Sequence, residues 1–379
     1  MTIWIKTHRR CKEHRSVFAV TIEEIAVVMT RISTLWMRDW LSCLMNRIVV
    51  KRCDHVCDGS HFNAVTLKWS TEVGRPTVQV VPHISGKTYR IVCGTALGSL
   101  CVIVFTGALV RLTNSGLGCS DWPNCNNTKF VDVSSSHTAI EQLNRLFTGV
   151  VSFSVIAAVL MSHLRRPRRN DLLWLSWSLV AGVLAQIVIG GIVVLTGLNP
   201  YANMAHFLVS MVLIACAFML FRRSATEAPR TIFRFVPEKI RLHTYAIGVL
   251  GAVAIVTGTV VTATGPHAGD ENAVRFGFAL TSVARVHSVS VISFLIVVLL
   301  TVLIIRKEKF GPEVFEPIST LLFVSVMQAA VGFTQYFTGV PVVLVAAHII
   351  GAVSLFLALC HLLIAPPDSV SVDISGPAM

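Results

Sequence analysis

The chain has 379 residues, of which 54% are hydrophobic and only 14% charged, with a mean hydropathy of +0.69. Soluble domains carry about a quarter charged residues, so these numbers exclude a soluble enzyme. The net charge of +12 suggests nucleic acid until the charges are located: residues 1–90 hold 14 Lys/Arg against 7 Asp/Glu, and most of the remaining excess lies in short loops between apolar runs. That is the pattern of a topology signal, so the expected partner is the lipid bilayer and no nucleic acid.

Residues 1–85 contain no clear span and no clean signal peptide. They read as a basic N-terminal extension, either poorly ordered or an over-long start with Met29 or Met45 as alternatives. The weakly amphipathic stretch IEEIAVVMTRISTLWMRDWLSCLMNRIVV is a candidate surface helix. Cys53-x-x-x-Cys57 with His55 and His61 offers metal ligands, although its spacing matches no standard zinc pattern well.

Eight apolar runs then follow, each long enough to cross a bilayer, which takes about 20 residues. They are expected at 89–111, 138–163, 171–196, 202–222, 242–264, 276–305, 316–338 and 341–364. The loops between them alternate in charge. Arg165, Arg166, Arg168, Arg169, Arg222, Arg223, Arg230, Arg234, Lys239, Arg241, Arg306, Lys307 and Lys309 fall on one side. Arg111, Lys129 and Arg275 fall on the other. The positive-inside rule places the first set and both termini in the cytoplasm of a multi-pass cell-membrane protein, with loop 112–137 extracytoplasmic.

The chain repeats itself. Gln186, Gly190, Thr196, Gly197 and His206 recur as Gln328, Gly332, Thr338, Gly339 and His348, always 142 positions on. Upstream, TGALVRLTNSG (106–116) resembles TGTVVTATGPH (257–267). The expected fold class is therefore an all-α integral membrane protein of eight transmembrane helices, arranged as two repeated four-helix bundles. The expected domains are 86–225 and 238–366, followed by a cytoplasmic tail at 367–379. Two similar units imply two similar interior sites.

Three histidines, His206, His287 and His348, fall inside spans at comparable depth in the outer half of the bilayer. A lone membrane histidine is often only a helix–helix hydrogen bond; three at matched depth point to ligation. His287 and His348 come from different helices of one bundle, an arrangement that suits haem iron. Arg285, two residues before His287, is placed to meet a propionate or to snorkel at the interface. In the first bundle His206 is present, but the position matching His287 is Asn144 or its neighbour, and Asn is a poor iron ligand. Glu141 lies one turn earlier on the same face, with Arg145 beside it. Charged groups there mark a functional site by default, with a polar interhelical cluster as the alternative. His137, a further turn back, either faces this site or belongs to the loop.

The segments GALVRLTNSGLGCSDWPNC (107–125), IEQLNRLFTG (140–149) and TGLNPYANMAH (196–206) resemble the haem A synthase family, over about residues 88–365. The resemblance implies an eight-span oxidoreductase that oxidises a methyl group of haem O to a formyl, giving haem A for terminal oxidases. It implies a haem b cofactor between His287 and His348, and substrate haem O in the N-terminal half with His206 on its iron. Glu141 matches the family's catalytic glutamate, and Cys119 and Cys125 its outer-loop cysteine pair. The family pattern Glu-x-x-His-Arg here reads Glu141-x-x-Asn144-Arg145, which resembles some actinobacterial-type members and removes one substrate-side histidine. The loop TGPHAGDENAVRFG (264–277) has no cysteines, so a second-half disulfide is absent.

Arg145 and Arg111 are accordingly expected at the substrate's propionates. Glu141 is expected to relay protons or stabilise a cationic intermediate, and Asn144 to orient substrate or a water. An oxidising compartment favours a Cys119–Cys125 disulfide. Haem O would come from the membrane or from the farnesyltransferase that makes it, and a homo-oligomer stays open. Two rivals remain. A non-enzymatic b-type cytochrome predicts two complete histidine pairs, and a repeat-built transporter predicts helices broken at mid-membrane.

Overall fold

The computed structural model describes residues 84–226, 234 and 236–364. The candidate surface helix, the Cys53–His61 metal candidates and the tail at 367–379 lie outside the described residues. Eight α-helices carry the described chain: α1 (Gly86–Leu112), α2 (Ser136–Leu164), α3 (Asn170–Leu195), α4 (Pro200–Ser224), α5 (Glu238–Thr264), α6 (Leu280–Lys307), α7 (Pro312–Phe337) and α8 (Val342–Leu363). All eight are long and apolar enough to span a membrane. The shortest has 22 residues, about 33 Å at 1.5 Å per residue, which covers a hydrocarbon core of about 30 Å.

The sixth helix starts at Leu280, later than its hydropathy suggests. Phe276 donates its N–H to Ala263 O at the end of α5, and its ring packs edge-on to Tyr201 with centroids 4.9 Å apart. Those contacts hold the segment before Ala279 out of the helix.

Helices α1 to α4 pack each against the next, and α4 closes back on α1. Helices α5 to α8 do the same, with α8 closing on α5. The two rings meet where α8 lies against α1 and α4 and where α4 lies against α5. Small residues permit the close approaches. A Cβ on Gly94 would lie 3.2 Å from the Phe221 ring, and one on Gly251 would lie 2.8 Å from Leu359. One core gathers Tyr89, Cys93, Leu172, Leu179 and Ile214; the other gathers Ile247, Phe294, Val298, Ile318 and Leu321. At one end Arg234 donates to the carbonyls of His361 and Leu362 and to Glu313 O, satisfying orphaned groups at the end of α8.

The turns leading into α4 and α8 are alike. Thr196 and Thr338 cap α3 and α7 by donating to the carbonyls four residues back. Two residues with positive φ follow each: Gly197 (62°) and Leu198 (62°), Gly339 (80°) and Val340 (61°). Leu198 N–H and Val340 N–H then each close 2.8 Å bonds to the carbonyl five residues back. A leucine and a β-branched valine are strained there. Leu198 recovers the cost by burial beside Val193, Ala268 and Ala273. A Cβ on either Gly116 or Gly269 would come within 3.1 Å of its side chain.

Candidate functional site

Helix α2 opens on a capping box: the Ser135 hydroxyl accepts from Thr138 N–H, and the Thr138 hydroxyl accepts from Ser135 N–H. This start fixes the register of the polar face that follows. Glu141, on the second turn, is 5% exposed. Both its oxygens accept: Oε2 from Cys119 N–H at 2.7 Å, and Oε1 from Arg145 Nε at 3.0 Å and Nη2 at 2.6 Å. Arg145 also reaches the α1–α2 loop, where Nη1 donates to Asp121 O (3.1 Å) and Asn124 O (3.0 Å), and Nη2 to Asp121 O (3.1 Å). A guanidinium has five N–H donors, and these five bonds use them all.

Arg145, expected at a propionate, is thus turned to Glu141 and the loop. The sequence signal for this was available: a carboxylate four residues before an arginine on a helix pairs by geometry alone.

The loop itself is closed by a disulfide between Cys119 and Cys125. Trp122 lies on α3 at Gly191, where a Cβ would sit 2.9 Å from the indole. His137 lies in the first turn of α2 and makes a 2.9 Å bond through Nδ1 to the buried Ser115 hydroxyl, so it serves the loop. Arg111 bonds Thr262 O on α5 through Nη2, and its buried Nε has no partner. Arg285 is exposed near the start of α6.

The same contacts recur in the two rings. In the second, Thr257 Oγ1 lies 3.1 Å from His287 Nδ1. The Thr257 hydroxyl also reaches Val253 O and Ser290, so it is able to accept from His287 in the tautomer that carries its proton on Nδ1. Nε2 then keeps the lone pair a metal needs. In the first ring Thr106 Oγ1 donates to Asn144 Oδ1 at 2.8 Å. Asn144 therefore holds the place of His287, on the equivalent threonine. Gly258 lies against the His287 ring and Gly107 against the Asn144 amide, at 3.2 and 4.0 Å from a built Cβ.

The other histidine of each ring is framed as consistently. Gln186 Nε2 donates to His206 O at 3.0 Å, and Gln328 Nε2 to His348 O at 2.8 Å. Gly190 and Gly332 face the two rings, where a Cβ would meet Cε1 at 3.4 and 2.9 Å. The buried Nδ1 atoms of His206 and His348 have no protein partner, and neither do Gln186 Oε1 and Gln328 Oε1. Thr106, Thr257 and the two glutamines were not expected as site residues. All four sit in the repeated strings, so comparing the repeats for polar positions would have found them.

Among the described residues no group of three or more His, Cys, Asp and Glu side chains is gathered for a bare metal ion. Buried imidazoles beside glycines, two of them with an Nδ1 that has no protein partner, fit a metal-centred group better than a bare ion.

Eight membrane-length helices in two rings, with a framed histidine or histidine pair inside each, define a polytopic membrane protein. A family model, COX15-CtaA, described as cytochrome oxidase assembly protein, matches residues 89–137 and 130–360, and the chain belongs to that family. It is similar to the Heme A synthase of Listeria welshimeri, 28% identical over 281 residues that cover 69% of this chain and 90% of the relative. The Heme A synthase of Lysinibacillus sphaericus is 30% identical over 164 residues, covering 42% and 53%. That of Geobacillus kaustophilus is 35% identical over 121 residues, covering 31% and 38%.

Proposed function

We propose that this protein is a haem A synthase, a membrane oxidoreductase that converts a methyl group of haem O to a formyl and so supplies haem A to terminal oxidases. Membership of the cytochrome oxidase assembly family and the names of its relatives support the reaction. One observation carries the assignment of the rings. Thr257 holds a histidine where Thr106 holds Asn144, so the first ring is the second with one ligand withdrawn, and Glu141 stands a turn away. The two rings are then the halves of a repeat, the first for substrate and the second for a resident cofactor.

His287 and His348 would hold haem b, which when bound supplies a one-electron store. His206 ligates the substrate iron. Asn144 Oδ1 is taken by Thr106, so its amide nitrogen is the part left to donate to substrate or water. Arg111, with a buried Nε unpartnered, and Arg285 are the cations for propionates. Arg145 braces Glu141 instead: five fixed donors hold the carboxylate at one place, and Glu141 moves protons at the ring edge from there. The bonded loop excludes water from that edge. The site opens to the extracytoplasmic side and both termini are cytoplasmic, following the basic loops. Haem O arrives through the membrane or from the farnesyltransferase that makes it.

The test is expression in membranes that make haem O but no haem A, followed by haem extraction and chromatography with mass detection. Haem A, or its hydroxylated precursor, is the expected product. Haem B alone would instead identify an electron-carrying b-type cytochrome.

A further inference from the structure

We infer that Arg111 and Arg275 together form a carboxylate site at the junction of the two rings, where a haem propionate is held between them. The inference rests on the haem binding proposed above and adds Arg275 and the junction to it.

In the register of TGALVRLTNSG (106–116) and TGTVVTATGPH (257–267), Thr106 matches Thr257 and Arg111 matches Thr262. Arg111 Nη2 donates to Thr262 O, so this arginine touches its own counterpart. A residue in contact with its repeat counterpart sits on the axis that relates the two halves. Arg111 also stands five residues, about 7.5 Å of helix rise, beyond Thr106, which holds Asn144. Thr262 stands as far beyond Thr257, which bonds His287. The guanidinium is therefore displaced outward by the same step from the candidate iron-side position of each ring.

Arg275 reaches this place from the α5–α6 loop. The next residue, Phe276, donates its N–H to Ala263 O, the carbonyl beside the one that Arg111 takes. Arg275 Nη2 donates to Pro266 O at 2.9 Å. Three residues on from Pro266, Gly269 packs on Arg111, where a Cβ would lie 3.5 Å from Arg111 Cγ. The two guanidiniums are close enough to repel each other.

Among the described residues no carboxylate answers that charge: neither arginine takes part in an ion pair. Asp270, in the same loop, accepts from Asn272 N–H instead. A guanidinium has five N–H donors, and each of these two spends only Nη2, on a backbone carbonyl. Arg111 Nε is buried without a partner. Arg145, by contrast, uses all five donors within the protein. Two adjacent guanidiniums with spare donors and no counter-ion fit a planar anion that accepts through two oxygens, which is a carboxylate. A haem carries its two carboxylates on one edge, so a haem in either ring can present one to the junction.

The test uses the full chain purified with its haem. In one arm, the resonance Raman propionate-bending modes of the resident haem are compared in wild type, Arg275→Gln and Arg111→Gln. In the other, ferric haem B and its dimethyl ester, which has no free carboxylate, are titrated into the same three proteins. The expected result is a shift of the bending modes in both variants, or a fall of about tenfold in their preference for the free acid over the ester. The first assigns the carboxylate to the haem of the second ring and the second to that of the first ring; either supports the site. Lys129→Gln removes an exposed charge of the α1–α2 loop and should move neither readout; an equal effect from it would reduce the arginines to a general field and overturn the site. If Arg111→Gln fails to fold, Arg275→Gln, at an exposed side chain, decides. No change in either arm would also overturn the site. A wild-type protein that carries no haem and binds neither probe would instead remove the haem reading itself, a separate and recognisable failure.

Discussion

Asn144 and His287 each bond the threonine at the matching position of its own ring, so exchanging the side chain tests the site with little disturbance. Asn144→His should give the first ring a second imidazole and convert bound substrate haem to a six-coordinate low-spin form, visible as a sharpened reduced α-band. An unaltered spectrum would remove Asn144 from the iron's neighbourhood. Glu141→Ala should leave haem bound and haem A formation lost; normal haem A output would end its catalytic role. His287→Ala and His348→Ala should each abolish the low-spin haem b signal. Arg145→Ala leaves a buried carboxylate with only Cys119 N–H. Breaking a buried pair from one side costs about 3 kcal/mol or more, so this variant should lose both thermal stability in detergent and haem A output.

The helices were legible because hydropathy and length decide a membrane span, and the expected spans match the helices to within four residues at every end; the largest late start is that of α6. There local bonding from Phe276 to Ala263 overrides an apolar run. The site was legible in part. His206, His287 and His348 stood out because ionisable side chains in apolar runs are rare, and Glu141 because a buried carboxylate is costly. Thr106 and Thr257 did not, because a membrane threonine ordinarily bonds its own helix, and that is also what these two do with their other contacts. The strained turns were half visible, since the glycines mark Gly197 and Gly339 but nothing marks Leu198 or Val340. Val340→Gly should therefore stabilise the protein by about 1 kcal/mol, the left-handed strain relieved less the added unfolded-chain entropy. Gly191→Ala, in contrast, pushes a methyl against the Trp122 indole. It should cost about 1–3 kcal/mol by overpacking and lower haem A output while the haem b spectrum persists.

At the scale of the molecule, the rings join through α8 against α1 and α4 and through α4 against α5. In the last turns of α1 and α5 they join through Arg111 on Thr262 O, and just beyond those helices through Gly116 N–H on Gly269 O. The loops that meet there are the ones with few basic residues; the basic loops lie at the opposite ends of the helices. Alkaline phosphatase fused within 126–131 should accordingly be active, and the same enzyme fused at 166–169 inactive. The reverse pattern would invert the topology and put the disulfide in a reducing compartment. The sequence offers a repeat as matched residues; the closing of each ring on itself is a property of packing, which no single string of residues encodes.

The bonds that hold Glu141 and Arg145 to the outer loop come from one peptide N–H, at Cys119, and two peptide carbonyls, at Asp121 and Asn124. None is a side-chain group of the loop. The loop therefore holds Glu141 and Arg145 by the path of its main chain, which the cysteines pin, and not by the side chains of Asp121 and Asn124. Asn124 in particular can diverge without loosening the grip. A random library there should return mostly active enzyme, whereas inserting or deleting a single residue between Cys119 and Cys125 should return none.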